Sequence, residues 1–307
     1  METGIVFKQM CVIFIFILIG YALRKKEMIS DIGVRDITWI IVNICNPALI
    51  LSAVMNTEKR PDMASALQMM GITAAAYCLM ILLGFLIGPL VRAPKKDWKF
   101  YNMMTVFGNT GFIGLPLAQA VLGSESLIYI AIFILAYNLL IYTYGVAVIR
   151  GGEEQGGNKM SLKALLNPGT ISSLAALILF FTGAAVPDII STACRYMSNS
   201  VTFLAVTVIG ASLAGIEIRT LFNDPHLYVF VIIRQIIFPV LFTLLLKNVI
   251  QNELLVASTA IVISVPVGNM PVMLAKLFHI DTDLLTRGTV FTTLLSVLTI
   301  TIVSLAV

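Results

Sequence analysis

Long apolar runs separated by short polar segments fill this chain. Cutting the pattern at segments long enough to cross a bilayer gives about ten spans, near 4–23, 37–56, 64–91, 100–122, 126–149, 167–185, 198–215, 225–248, 253–277 and 283–306. The start of the seventh is the least sharply marked and could lie several residues earlier. No run alternates with the period of two that marks a barrel strand, so every span is expected to be a helix. Two spans are interrupted in matching places. The fourth carries Gly108-Asn109-Thr110-Gly111-Phe112-Ile113-Gly114-Leu115-Pro116, and the ninth carries Ser264-Val265-Pro266-Val267-Gly268-Asn269-Met270-Pro271. Pro and Gly break a helix, and a break at membrane depth is tolerated only where protein buries it or a cavity surrounds it.

Composition agrees with that pattern. The 307 residues are 59% hydrophobic and 12% charged, with a mean hydropathy of +0.97. A soluble domain carries roughly twice that charged fraction. The net charge is +4, and no basic cluster is interleaved with aromatics, so nucleic acid is not an expected partner. Cys11, Cys45, Cys78 and Cys194 stand singly, without metal-ligand spacing, and read as small buried hydrophobes rather than a disulfide framework. No cofactor or resident metal is expected. The first apolar run has full transmembrane length and no basic segment before it, so it reads as a first helix rather than a cleavable signal.

Charge distribution sets the expected orientation. On the side reached after the first helix, the flanking segments hold thirteen Lys and Arg: Arg24, Lys25, Lys26, Arg35, Arg92, Lys95, Lys96, Lys99, Arg150, Lys159, Lys163, Arg219 and Arg287. The other side holds four: Lys59, Arg60, Arg195 and Lys247. By the positive-inside rule the first side is cytoplasmic and both termini face outward. The polar, Gly-rich stretch after Arg150 reads as a short cytoplasmic linker over 151–164. It divides the chain into 1–150 and 165–307, with five spans in each. Five is odd, so the second half enters the membrane in the opposite sense, as an inverted repeat does. Pro116 and Pro271, 155 residues apart, are each followed by about two apolar turns and a short polar loop.

Paired breaks in corresponding halves are the strongest sequence pointer to the binding site of a secondary transporter. New half-helices are expected to begin at about Leu117 and Val272, each with uncapped N–H groups and the positive end of its dipole. Brought to one point, these ends suit a carboxylate. Asn109, Thr110 and Asn269 add neutral hydrogen-bonding groups, and Gly111, Gly114 and Gly268 let backbone approach a ligand. The plainer reading is that these are kinks and packing positions.

Arg234 and Gln235 lie inside the eighth span. An intramembrane Arg is a functional candidate by default. It could attract an anion, hold the carbonyls of the broken helices, or snorkel to the headgroups. Lys276 reads as a snorkelling residue. Asn43, Asn46 and Pro47 interrupt the second span, either facing the pathway or forming a packing kink; Ser264 is a further candidate support residue. Gly84 and Gly88 form a small-xxx-small helix contact. No Asp, Glu or His lies well inside a span, so the usual proton relay is missing, while sodium could still bind to unwound backbone. Gly210-Ala211-Ser212-Leu213 is faintly similar to an intramembrane serine protease, but no His sits inside a later span to act as base. No phosphate loop supports a primary pump.

Four runs together resemble the auxin efflux carrier family, whose plant members are the PIN-type carriers. They are Asn46-Pro47-Ala48-Leu49, Asn109 through Pro116, Ile209-Gly-Ala-Ser-Leu-Ala214 and Val267-Gly-Asn-Met-Pro271. The resemblance spans essentially the whole chain and implies an all-α polytopic membrane protein with ten helices in a 5+5 inverted repeat. It implies a scaffold of helices one, two, six and seven and a transport bundle of helices three to five and eight to ten. The fourth and ninth helices would cross at their prolines, with Asn109 and Asn269 holding a substrate carboxylate. The fold is similar to that of bile-acid sodium symporters, which move as elevators. The short central linker is similar to prokaryotic members, usually linked to small organic acids such as malate or malonate. It makes a bacterial cytoplasmic (inner) membrane the expected setting. A homodimer through the scaffold is expected from the resemblance alone. The expected function is secondary transport of small organic anions, in the efflux direction. The alternatives are a sodium-coupled symporter of similar fold and a receptor or channel that does not cycle.

Overall fold

A computed structural model describes residues 3–55, 62–150, 168–215 and 222–307. The linker 151–164 and the charges Lys59, Arg60, Lys159, Lys163 and Arg219 lie outside the described residues. Helix α1 is Thr3–Lys25. Helix α2 is Asp31–Ile40, which runs through a wider π turn, Ile41–Cys45, into α3, Asn46–Met55. Next come α4 (Met63–Leu90), α5 (Trp98–Val106), a second π turn (Thr110–Gly114) and α6 (Leu115–Leu122). Helix α7 (Leu127–Leu140) passes through the π turn Ile141–Gly145 into α8 (Val146–Arg150).

The second half holds α9 (Pro168–Thr182), α10 (Asp188–Asn199), α11 (Val201–Leu213) and α12 (Pro225–Val231). A fourth π turn, Ile232–Ile237, leads to α13 (Phe238–Val249), followed by α14 (Glu253–Ser264), α15 (Met270–Leu277) and α16 (Asp283–Ser304). Among the described residues, seven continuous helical stretches are long and apolar enough to cross a membrane, and three apolar helices are shorter. The architecture is that of an all-helical polytopic membrane protein. Outward-facing Ile15, Leu18, Leu82, Phe85, Leu241 and Leu245 are exposed, as a lipid-facing surface requires.

Two expected boundaries move. The second span begins at Asp31, because Ser30 caps it by accepting the Gly33 N–H at 3.1 Å. The seventh begins ten residues early, at Asp188 rather than 198. Polar residues of α10 made that stretch read as a loop, yet it is an amphipathic helix that buries Ser191, Cys194 and Ser198 against its neighbours. Arg195, counted with the loops, is therefore helical, as are Arg35 and Arg287. Cys45 and Cys194 are buried as expected, whereas Cys78 is exposed on α4.

Small residues set the closest packings. A Cβ at Gly20 of α1 would stand 2.0 Å from the Thr207 carbonyl oxygen of α11, and one at Gly210 would stand 2.0 Å from that of Ile17. These reciprocal glycines bring two continuous helices into backbone contact. Gly84 and Gly88 of α4 face Asn102 and the Trp98 ring of α5, the helix contact expected of that pair.

Candidate functional site

Both broken spans open into a short extended segment, and the two segments pair. Gly108 and Val267 form an isolated antiparallel bridge. The Asn109 N–H donates to the Pro266 carbonyl at 2.7 Å, and the Gly268 N–H to that of Phe107 at 2.9 Å. Backbone groups freed by each break thus satisfy the other, which the membrane interior demands. The approach is close: a Cβ at Gly268 would lie 3.0 Å from the Gly108 carbonyl oxygen, and one at Gly108 would lie 2.8 Å from Val265 Cγ2. Only glycine fits comfortably at either position.

Pro116 and Pro271 stand away from the bridge, whereas Pro266 lies in it. Pro271 is the second residue of α15, where the missing N–H costs nothing and the fixed φ suits a helix start, while Pro116 lies inside a continuous helical stretch, two residues past its π turn. The first trailing helix begins at Thr110, seven residues before the expected Leu117, and the second at Met270 rather than Val272. Antiparallel pairing sets Asn109 opposite Pro266 and Gly268 opposite Phe107, so Asn109 and Asn269 lie on either side of the bridge.

Asn109 is 6% exposed. Its Oδ1 accepts the Phe112 N–H at 3.2 Å and caps the π turn, while its Nδ2 is buried with no partner. A buried amide that wastes its donors is costly, so an unpaired Nδ2 beside a helix start is a place for an acceptor ligand. Thr110, Gly114 and Pro116 are also buried, and Gly111 and Asn269 are partly exposed. Asn46, set at the end of the α2–α3 π turn, reaches the same place. Its Nδ2 lies 3.6 Å from where a Gly111 Cβ would stand, and its Oδ1 is buried without a partner. Ile209 of α11 packs with Ile113 and Val265 against the crossing.

Arg234 is 1% exposed, so it does not snorkel. Its Nε donates to the Thr105 carbonyl at 3.2 Å, and its Nη1 donates to those of Ile263 at 2.6 Å and Val265 at 3.2 Å. In an unbroken helix the Thr105 carbonyl would accept from Asn109 N–H and the Ile263 carbonyl from Val267 N–H. The first of these donors is turned to Pro266 and the second to Thr292 Oγ1 at 3.1 Å. The guanidinium replaces both lost donors at once. Of the three roles open to Arg234, holding the carbonyls of the broken helices is the one it occupies.

Gln235 is buried beside it, with Nε2 3.4 Å from the Thr292 carbonyl and Oε1 unpaired. The Ser264 hydroxyl donates back to the Ile261 carbonyl at 3.0 Å within its own helix. Two residues that the sequence reading passed over support the second segment. Thr292 receives Val267 N–H, and Thr289, whose hydroxyl donates to the Leu285 carbonyl at 2.8 Å, packs with its Oγ1 3.4 Å from the Gly268 carbonyl. Their signal was the run of hydroxyls at Thr286, Thr289, Thr292 and Thr293 on one stretch of an otherwise apolar span. Among the described residues, no group of His, Cys, Asp and Glu could hold a metal ion.

The chain matches a family model described as membrane transport protein over residues 5–304. It is similar to an uncharacterized transporter of Methanocaldococcus jannaschii, with 26% identity and 94% of each chain covered. A second uncharacterized transporter, from Methanothermobacter thermautotrophicus, is 21% identical, again with 94% of each chain covered.

Proposed function

Because this chain belongs to the membrane transport protein family, the auxin efflux carrier family whose motifs its sequence carries, we propose that it is a secondary carrier of small organic anions. The observation that supports this reading most is the pairing at Gly108 and Val267, which joins the segments leading into the two trailing helices next to the buried, unpaired Asn109 amide. A substrate carboxylate accepts from Asn109 Nδ2 and from the Asn269 amide, and takes the favourable end of the helix dipoles. Thr110, Gly111, Gly114 and Gly268 shape its surroundings. Asn46 meets the substrate from the α2–α3 side.

The carrier works by alternating access. The first inverted repeat (1–150) and the second (165–307) each give two helices to a scaffold and three to a transport bundle, and the bundle carries the crossing up and down. Both termini face outward from a cytoplasmic membrane, and a scaffold-mediated homodimer is the expected assembly. With an inside-negative potential, outward movement of an anion is downhill by about 2.3 kcal/mol per charge per 100 mV. Efflux therefore needs no coupling ion. Counterflow in proteoliposomes tests the reading: trans substrate should accelerate uptake of labelled malonate or malate, with saturation. Flux that neither saturates nor responds to trans substrate would indicate a channel, and binding without flux a receptor.

A further inference from the structure

We propose that the Arg234 guanidinium is the resident counter-cation of the crossing, filling with a covalently held charge the carbonyl seat that a coupling ion would otherwise take. The inference rests on the carrier reading above and deepens it. Broken helices in membrane carriers expose carbonyls at the ends of their leading halves, and such carbonyls are what a sodium ion binds. Here the leading halves are α5 and α14, and three carbonyls at their ends, of Thr105, Ile263 and Val265, converge on one side chain. Each helix end carries about half a negative charge, so two together oppose one positive charge. Among the described residues, no carboxylate is ion-paired to Arg234. The carbonyl oxygens and helix ends are its counter-charge.

Room for the group is built in. A Cβ on Gly108 would lie 3.0 Å from Nη2. The glycine at the bridge thus serves both the close strand approach and the arginine seat. Arginine suits this place better than lysine, because its fork of donors spans carbonyls on two different helices. With the C-terminal ends neutralised from within, the helix starts at Thr110 and Met270 face the substrate with no cation needed to complete the site.

The test is binding of malonate, malate and acetate to the purified full-length protein, measured by calorimetry in sodium chloride and in choline chloride. Wild type should bind its best ligand with affinities in the two salts that agree within about twofold. Arg234→Ala should weaken binding about tenfold or more in choline, and millimolar guanidinium or sodium should restore much of that loss. Arg234→Lys, which keeps the charge, should bind in choline with intermediate affinity. A ligand that wild type binds only with sodium would overturn the proposal and leave the carrier reading standing. Folded Arg234→Ala that binds like wild type, or that no added cation rescues, would also overturn it. If Arg234→Ala does not fold, the wild-type salt comparison and Arg234→Lys still decide: loss of binding in folded Arg234→Lys contradicts a role for the charge. Failure of wild type to bind or transport any of the three acids in either salt would instead refute the carrier reading.

Discussion

Two pairs of glycines bring backbones into contact in this protein, and they do different work. Gly20 and Gly210 join α1 to α11, two continuous helices whose hydrogen bonds are internal. Gly108 and Gly268 join two segments that have left the helix and bond to each other instead. The first pair diverts no backbone donor, although the Thr207 hydroxyl beside it is buried without a partner. The second frees the carbonyls of Thr105 and Ile263 for Arg234 and sits beside an amide with no partner. Close approach alone is therefore a packing device. Close approach with diverted backbone donors marks the place proposed for the substrate.

Substitutions can separate the two pairs. The largest effect on stability is expected at the helix contact. Gly20→Ala or Gly210→Ala sets a Cβ 2.0 Å from a carbonyl oxygen, so the helices must part. That should cost about 3 kcal/mol, seen as a lower thermal midpoint in detergent. Substrate affinity of the molecules that remain folded should be unchanged.

Gly108→Ala should act on both properties. It crowds Val265 and Arg234 and should cost about 2 kcal/mol while cutting transport sharply. Asn109→Ala removes a cap worth about 1 kcal/mol and the free amide, so affinity should fall by more than stability does. Thr292→Val removes a hydrogen bond to Val267 N–H and should lower the midpoint by the equivalent of about 1 kcal/mol. Gly111→Ala sharpens the contrast from the other end. Its Cβ would meet Asn46 at an ordinary 3.6 Å, so stability should hold within about 0.5 kcal/mol. Any loss of affinity in that variant then reports a ligand at Gly111 rather than a packing defect.

Much of this was legible in the chain. Apolar runs of bilayer length gave the helices, and the two matched interruptions located the crossing. The exact break was not legible, because the second run offers both Pro266, which lies at the pairing, and Pro271, which sits at a helix start, while Pro116 lies inside a helix past its π turn. The quieter Gly108 and Gly268 mark the pairing, and their importance depends on what lies across from them. Sequence left three roles open for Arg234, since its partners are the carbonyls of Thr105, Ile263 and Val265, distant in the chain and invisible as side chains. The start at Asp188 was hidden for another reason. An amphipathic helix with one buried polar stripe has a low average hydropathy, and a search for apolar runs passes over it.

The most direct test of the central claim is the current that small mono- and dicarboxylates evoke across proteoliposomes, compared between wild type and the Asn109→Ala, Asn269→Ala double variant. Saturating currents in wild type without sodium, lost in a double variant that remains folded, are the predicted result. Equal currents in the two proteins would contradict the assignment of the crossing as the substrate site.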